Sequence, residues 1–451
     1  MKLLTLGVTF ILGLFYLAAC ASQGPAAPVT IKGPAAPVTI TSPNTITDPN
    51  APGIFGRDPS RWLTPTHMRG SEPVRVGLLL PLGAESNDVR NLAQSLLEAA
   101  QLALFDQNNN SLLLIPKDTF GMPEGAAAAA QEVIDQGAEL ILGPLFAPSV
   151  QAIAPIARMQ NVPIVAFSTD REVAGDGVYL LSFMPENEID TVARYAASQG
   201  LFRFAALIPY GPYGARVQGA FSESVMKTGG IVTQIENYAR ETAATFEPVK
   251  RLANYNVRLA ALQLERQRLR ENDDEASRQA LERLEDVEVW SSADYQAVLI
   301  PEEGNLLRSL APLLAYYEVD PRTVKFLGTG LWDDPEIVRE PSLLGGWFAA
   351  PPPDTHQAFL QNFAQAYGRT PPRIASLAYD ALMLAATLSE SPRGARFSQA
   401  DITNPNGFLG IDGLFRLLPD GRSERGLAVL EVTPNGFKVI NAAPNTFEFQ
   451  S

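Results

Sequence analysis

The sequence has one cysteine, Cys20, and two histidines in 451 residues. A single thiol excludes an intramolecular disulfide and any zinc site built from four cysteines. Positive charge is also scarce, with 35 Lys and Arg against 49 Asp and Glu and a formal net charge of −14. Because nucleic-acid binders need a basic surface, that class of protein is excluded.

Motifs of common catalytic sites are missing as well. The sequence has no Gly-x-Ser-x-Gly elbow and no phosphate-binding loop, and the Gly-Thr-Gly at 328–330 meets Asp333 where a dinucleotide fingerprint needs its third glycine. The histidines, His67 and His356, have no metal-type neighbour in sequence, and adjacent carboxylates such as those at 302–303 are usually solvated. We therefore predict no enzymatic activity, no metal site and no cofactor.

The N-terminus has the pattern of a lipoprotein signal. Lys2 precedes an apolar stretch that is too short and too N-terminal for a comfortable membrane span. Leu-Ala-Ala-Cys at 17–20 resembles the bacterial lipobox, which predicts a signal peptide at 1–19 and a lipidated Cys20 that carries palmitate. Ala21 replaces the Asp that favours inner-membrane retention. We therefore expect the periplasmic side of the outer membrane, with inner-membrane anchoring as the alternative.

Residues 20–72 are predicted to form a tether. GPAAPVTIK at 24–32 is followed at once by GPAAPVTI at 33–40, a tandem duplication rich in proline. Such composition favours an extended chain with little capacity to form a core. Fifty such residues would reach about 150 Å, and we expect a spacer with no specific partner.

From Val74 onward, strands and helices alternate. Apolar runs such as VRVGLLLPL (74–82) and AELILGPL (138–145) are typical of parallel strands buried on both faces. Helical periodicity separates these runs, which predicts βαβ units and a doubly wound parallel sheet. The alternation starts again near residue 190, so we predict an α/β protein of two lobes with a cleft between them.

One segment, at about 250–289, interrupts the second lobe. Its side chains recur at spacings of three and four, which predicts an antiparallel helical pair with a coiled-coil-like seam. The residues of this seam are Leu252, Tyr255, Leu259, Leu262, Arg266 and Leu269. Two interpretations stay open at this point: a solvated hairpin that only stabilises the lobe, or a docking arm for another protein.

Several motifs together resemble the type I periplasmic binding proteins of the branched-chain amino-acid (Leu/Ile/Val-binding) branch. They are VGLLLPLGA (76–84), ILGPL (141–145), NVPIVAFST (161–169), ALIPYGPYG (206–214) and GFLGIDGLFRLLPDGRSERGLAVLEV (407–432). The resemblance covers about 74–442 and implies a chain that crosses between the lobes three times. The lobes implied are 73–187 with 352–396, and 188–351 with 397–451.

The same resemblance implies which residues line the cleft. Relatives hold the ligand carboxylate with hydroxyl groups and helix N-terminal amides, which here points to Ser149, Ser168 and Thr169. Tyr213 occupies a position where relatives place an aromatic ring over the ligand.

The acidic residue that pairs with a ligand ammonium is missing from the FLGTG loop, where Thr329 and Gly330 stand. A buried ammonium without a counter-charge costs several kcal/mol. An amino-acid site is therefore dismantled, unless Glu302 or Asp333 substitutes for the lost carboxylate.

A binding-protein fold that is lipid-anchored, tethered and without its ligand set resembles the penicillin-binding protein activators of the LpoA type. This resemblance implies a non-catalytic, periplasm-facing lipoprotein that binds and activates a class A penicillin-binding protein, a peptidoglycan synthase. The helical-repeat domain of the enterobacterial activators has no counterpart before Val74. The alternative is a solute-binding lipoprotein of an ABC transporter, which would take an amino acid or related small molecule to a permease. Either protein would contact the membrane only through its lipid.

Overall fold

The computed structural model describes residues 29–30, 64–68, 73–107, 111–272 and 274–447. The expected signal peptide, Cys20 and most of the tether lie outside these ranges. Among the helices that the structure describes, none combines the length and the apolar character needed to span a bilayer.

Strands and helices alternate through most of the described chain, and five consecutive strands form its last part. The strands are β1 (Val29–Thr30), β2 (Val74–Leu80), β3 (Leu112–Asp118), β4 (Leu140–Leu142), β5 (Ile164–Ala166), β6 (Val178–Leu180), β7 (Arg203–Pro209), β8 (Ile231–Tyr238), β9 (Ala297–Leu299), β10 (Lys325–Gly328), β11 (Trp347–Ala350), β12 (Phe408–Gly410), β13 (Gly413–Leu417), β14 (Ser423–Arg425), β15 (Ala428–Thr433) and β16 (Gly436–Asn441). The α-helices are α1 (Asn87–Asp106), α2 (Pro123–Asp135), α3 (Ala147–Met159), α4 (Pro185–Ser198), α5 (Pro212–Lys227), α6 (Phe246–Leu252), α7 (Tyr255–Asn272), α8 (Glu275–Arg283), α9 (Gly304–Tyr316), α10 (Pro353–Tyr367), α11 (Ser376–Leu388) and α12 (Gln399–Ile402).

The first lobe is built on a wholly parallel sheet in the order β3-β2-β4-β5-β6. Every residue of its central strand β2 is buried. Because successive side chains of a strand point to opposite faces, Leu78 packs into the core under α1 and α11, and Leu79 packs into the core under α2 and α3. Helices cover both faces of the sheet, as the continuous apolar run of β2 predicts.

The second lobe is built on a mixed sheet in the order β16-β15-β11-β10-β9-β7-β8. The strands from β11 to β8 are parallel, and β15 and β16 extend the sheet antiparallel at the β11 edge. One face carries α6 and α9, and the other carries α4 and α5. The predicted α/β architecture with two parallel-sheet lobes is confirmed.

The chain passes between the two sheets after β6, after β11 and after β14. The sequence analysis placed residues 397–451 in the second lobe, and the structure differs for the first part of this range. Phe397, Phe408 and Phe415 are buried in the same core as β2, α1 and α11. These aromatic side chains complete the first core, so the first lobe continues to β14 and only β15 and β16 join the second sheet.

Helices α7 and α8 form the hairpin that the sequence analysis expected. On α7, Leu262 is fully buried and Leu269 nearly so. The guanidinium of Arg266 donates to three backbone carbonyls within 284–287, just after α8 ends. These carbonyls lie at and just beyond the C-terminal cap of α8, so the arginine ties the end of α8 to α7. The seam residues of α7 therefore hold the two helices together.

Candidate functional site

The candidate cleft residues all lie where a parallel strand ends. Ser149 is in the first turn of α3, which follows β4, and Ser168 and Thr169 follow β5. In the second lobe, Tyr213 is in the first turn of α5, after β7, and Glu302 follows β9. Ligands of doubly wound proteins bind outside the carboxyl ends of the strands, so each lobe presents its candidates at the edge where a ligand would lie.

The first-lobe loop is shaped by a glycine that no other residue can replace. Gly143 has φ of +80°, and a Cβ on it would lie 2.3 Å from the carbonyl oxygen of Leu79. The turn that follows leads into α3, where Pro148 offers no amide donor. Ser149 is buried there, and its hydroxyl has no hydrogen-bond partner in the part of the chain that the structure describes.

The two hydroxyl residues after β5 differ from each other. Ser168 is buried, and its Oγ accepts a hydrogen bond from the Asp170 amide at 3.1 Å. Thr169 is exposed. Of the three predicted hydroxyl groups, only that of Ser149 is both buried and without a partner among the described residues.

In the second lobe, Tyr213 lies beside Thr329, Glu188, Arg240 and Glu302. The phenol oxygen of Tyr213 is buried and makes no hydrogen bond of ordinary geometry within the described ranges, although the Thr329 side chain lies next to it. Burial raises the pKa of this phenol above its usual range, so the group stays protonated and can donate. The guanidinium carbon of Arg240 lies 5.7 Å from the centre of the ring, within range of a cation–π contact.

Glu302, the first proposed substitute for the lost carboxylate, is already bound by protein groups. Its side chain is buried, which corrects the expectation that the pair at 302–303 is solvated. Oε2 accepts from the Tyr238 hydroxyl at 2.7 Å and pairs with Nε of Arg240 at 3.2 Å. Oε1 accepts from the amide of Glu303 at 3.1 Å.

Glu188, in the first turn of α4, is a buried carboxylate that the sequence analysis missed. Its Oε2 accepts from the Gly330 amide at 2.9 Å. A Cβ on Gly330 would lie 2.5 Å from Oε1, so this carboxylate fills the space that a side chain at position 330 would need. Burial raises the pKa of Glu188 to about 7, against the opposing effects of the Gly330 amide and Arg373. The usable signal was an acidic residue in the first turn after Pro185, where helices favour negative charge.

Asp333, the second proposed substitute, is held by an arginine of the other lobe. Nε of Arg373 lies 3.2 Å from Oδ2 of Asp333, which follows β10, and Nη1 lies 2.9 Å from Oδ1 of the buried Asp412. Arg373 itself belongs to a short turn packed against α1 and α11. Its guanidinium also stacks on the Phe183 ring at 4.6 Å. Arg373 therefore bridges the two lobes.

The second carboxylate of this bridge is ionised. Burial alone would raise the pKa of Asp412, but Arg373 and His356 hold it well below its usual range. Burial and the neighbouring charge of Asp412 raise the pKa of Asp380. His356, expected at the surface, is instead mostly buried, with Nδ1 3.2 Å from Oδ1 of Asp412. Across the described residues, no three His, Cys, Asp or Glu side chains are grouped to hold a metal ion.

The predicted arm residues do not form an outer surface. Leu252 belongs to α6 and the second-lobe core, and the Tyr255 ring packs against Tyr317. Leu259 is half-buried. The exposed apolar side chains of α7 are instead Val257 and Leu264, with 70% and 69% of their surface accessible.

Comparison with known proteins identifies the fold. A family model described as "Periplasmic binding protein" matches residues 73–267. A putative branched-chain amino acid ABC transporter protein from Rhodospirillum rubrum superposes with a TM-score of 0.64 at 16% identity, covering 82% of this chain and 100% of that one. An ABC transporter substrate-binding protein from Sphaerobacter thermophilus gives 0.60 at 17% identity, covering 82% and 97%. The leucine-binding protein LivK from Thermotoga maritima gives 0.51 at 18%, covering 82% and 98%.

No curated protein sequence matches this chain significantly. At identities this low, the structural similarity establishes the fold alone. The described chain has the fold of the type I, Leu/Ile/Val-binding-like periplasmic binding proteins, and the resemblance seen in the sequence is confirmed to that extent.

Proposed function

We propose that this type I binding-protein fold serves as a non-catalytic, periplasm-facing lipoprotein, anchored through Cys20 in the outer membrane, that binds and activates a class A penicillin-binding protein. One observation carries the proposal: every carboxylate near the FLGTG loop is already bound by a group of the protein itself. The Tyr238 hydroxyl and Arg240 hold Glu302, Arg373 holds Asp333, and the Gly330 amide holds Glu188.

The loop itself offers no replacement. Thr329 is fully buried, and its hydroxyl accepts from the Leu331 amide at 3.4 Å, where it caps a short helical turn. A ligand ammonium that approached Glu302 or Asp333 would have to compete with Arg240 or Arg373. Displacing such a buried partner costs several kcal/mol, which weakens binding by orders of magnitude. Glu188 differs from these two carboxylates, because it accepts a hydrogen bond from the Gly330 amide through Oε2 and keeps further acceptor sites.

The outer face of α7 is the surface we propose for the synthase. Val257 and Leu264 are seven residues apart and therefore lie on the same side of the helix. Both are exposed, and most of the other exposed residues of the helix are polar. Exposed apolar side chains surrounded by polar ones are a frequent feature of protein contact sites.

The test is a pull-down of the purified synthase with a Val257→Asp/Leu264→Asp variant, together with its glycosyltransferase stimulation. We expect binding to weaken at least about tenfold, because two charges would be buried in the contact. The matched control is Met159→Asp/Met226→Asp, which makes the same change at two exposed apolar residues of α3 and α5. Deleting the hairpin is a poorer test, because Arg258 on α7 also binds the carbonyls of Ser291 and Glu318. If the α7 variant binds and stimulates the synthase as well as the control variant does, the outer face of α7 is not the contact.

A second function, an ABC-transporter solute receptor, is favoured by three polar groups at the strand ends. The Ser149 and Tyr213 hydroxyls lack partners among the described residues, and Glu188 is a carboxyl group close to Tyr213. This function predicts a thermal shift with an amino acid or a related small molecule, since a ligand at a hundredfold its dissociation constant adds about 2.7 kcal/mol. The shift should disappear in Tyr213→Phe and Glu188→Gln. A screen without any shift would argue against this function and leave the first in place.

A further inference from the structure

The small sheet that flanks the first lobe contains a strand from the tether. Its order is β1-β12-β13-β14. β1 runs parallel to β12, with Val29 opposite Phe408 and Thr30 opposite Leu409. β12 is antiparallel to β13 on its other side. Without β1, one edge of β12 would present unpaired backbone N–H and C=O groups, which readily accept another strand.

The sequence offers this edge two identical occupants. Val29 and Thr30 belong to the first copy of GPAAPVTI, and the second copy repeats the same motif nine residues later, with Val38 and Thr39. Backbone pairing gives such docking its affinity, and side chains at alternate positions give it specificity. Since the copies agree at all eight positions, the edge has no means of distinguishing them by side chain.

The surface beside the edge of β12 is apolar, which suits this apolar motif. Leu409 and Gly410 of β12 also line an apolar cavity of about 650 Å³, together with Leu102, Phe359 and Ile411. β1 runs in the direction of this cavity, because Val29 pairs with Phe408 and the next residue, Thr30, pairs with Leu409.

We propose that the edge of β12 is a docking site for the Pro-Val-Thr-Ile motif of this chain, that either copy can occupy it, and that the choice of copy sets the length of the tether. The functional consequence rests on the proposed lipidation of Cys20, whereas the docking itself does not.

The two copies give different reaches. With Val29 docked, nine residues connect Cys20 to the sheet, and with Val38 docked, eighteen do. At 3.1 Å per extended residue these are about 28 Å and about 56 Å. With neither docked, the tether runs free to Val74 and its reach rises to about 165 Å. Docking therefore holds the lobes near the membrane, and release lets them approach a partner farther away.

Proline variants of the full lipidated protein test the docking, because proline cannot donate to a strand ladder. Hydrogen–deuterium exchange at Phe408–Gly410 is the first readout. Val29→Pro and Val38→Pro should each leave the edge protected, because the other copy replaces the lost one. The double variant should exchange at least about tenfold faster. An unchanged double variant would overturn the docking, and a Val29→Pro variant as exposed as the double would overturn the exchange of copies.

The distance between the membrane and the lobes is the second readout, measured by energy transfer from a dye at Gln357→Cys to labelled vesicles. Val38→Pro should give the strongest transfer, Val29→Pro less, and the double variant the least. Equal transfer in all three would overturn the tether-length claim. Cys20→Ser should abolish the transfer and leave the exchange protection intact. Since neither readout contains a synthase, an unsuccessful pull-down would count against the proposed function and not against the docking.

Discussion

The strand-end loops of the first lobe and those of the second differ in how their polar groups are satisfied. In the first lobe, the Ser149 hydroxyl is buried without a partner among the described residues. In the second lobe, Glu188 and Glu302 are buried carboxylates, and each accepts hydrogen bonds from nearby protein donors. The second lobe thus stabilises the charge of Glu302 through Arg240, whereas burial disfavours the charge of Glu188. Among the described strand-end groups of this lobe, the Tyr213 phenol resembles the unpartnered hydroxyl of the first.

This difference indicates where a bound ligand could still add to the stability of the protein. A buried polar group without a partner costs free energy that a ligand can recover, whereas a carboxylate that already pairs with a cation gains less from a second one. The first lobe therefore keeps the more permissive half of the cleft. Four substitutions test this comparison.

The largest effect is expected for Arg373→Met. The substitution removes the cation nearest to Asp412 and leaves that buried carboxylate with only His356 and the more distant Arg425, so the free energy of unfolding should fall by about 3–5 kcal/mol. Urea denaturation measures it. Arg322→Met is the control, because this exposed arginine pairs with Asp320 at the surface, where such pairs contribute at most about 1 kcal/mol. If both variants lost the same free energy of unfolding, the bridge between the lobes would contribute no more to stability than a surface ion pair.

The next effect concerns pH and Glu188. With a pKa of about 7 in the folded chain and about 4.5 when unfolded, the native state holds a proton that the unfolded state has lost between these pH values. Stability from this group therefore falls as the pH rises from about 4.5 to about 7. Glu188→Gln should match the wild type near pH 4 and exceed it by up to about 3 kcal/mol at pH 8. Unfolding curves across this range measure the difference, with Glu85→Gln on the exposed surface as control. Parallel profiles for wild type and variant would contradict the burial argument.

The smallest effects come from removing one hydroxyl group in each lobe. Tyr238→Phe deletes a donor to the buried Glu302 and should cost about 1–2 kcal/mol. Ser149→Ala deletes a buried hydroxyl without a described partner and should leave the free energy of unfolding unchanged or raise it slightly, because an uncompensated polar group is removed. Thermal unfolding of both variants gives the comparison. A large loss for Ser149→Ala would show that this hydroxyl has a partner, and the contrast between the lobes would disappear.

The fold could be predicted from the sequence because its signals are local. Continuous apolar runs such as that of β2 identify buried parallel strands, and the helical seam identified the hairpin of α7 and α8. The sequence did not predict that residues 397–425 stay in the first lobe. This placement depends on Phe408 and Phe415 finding a core formed about three hundred residues earlier, and no local pattern reports which of two cores an apolar strand will join.

The candidate site was predicted less well, for the same reason. Ser149, Ser168 and Tyr213 were found from motifs adjacent to strand ends. Glu188 and Arg373 were missed because their partners are far away in sequence. Packing within the second lobe brings Gly330 to Glu188, and Asp333 reaches Arg373 across the two lobes. The seam residues show a further limit of the sequence. Their spacing correctly predicted a contact between two helices, but it could not tell whether the partner was α8 or another protein. In the structure, Arg266 contacts the end of α8.

The bridge through Arg373 makes the opening of the molecule an electrostatic event. Asp333 and Asp412 hold one guanidinium from opposite lobes, and the side chains of Asp333 and Arg373 remain about one quarter exposed to solvent. Dissolved ions can reach such a contact and screen it. Rotation of the lobes away from each other should thus become easier as ionic strength rises. The salt concentration would then set how far the cleft opens.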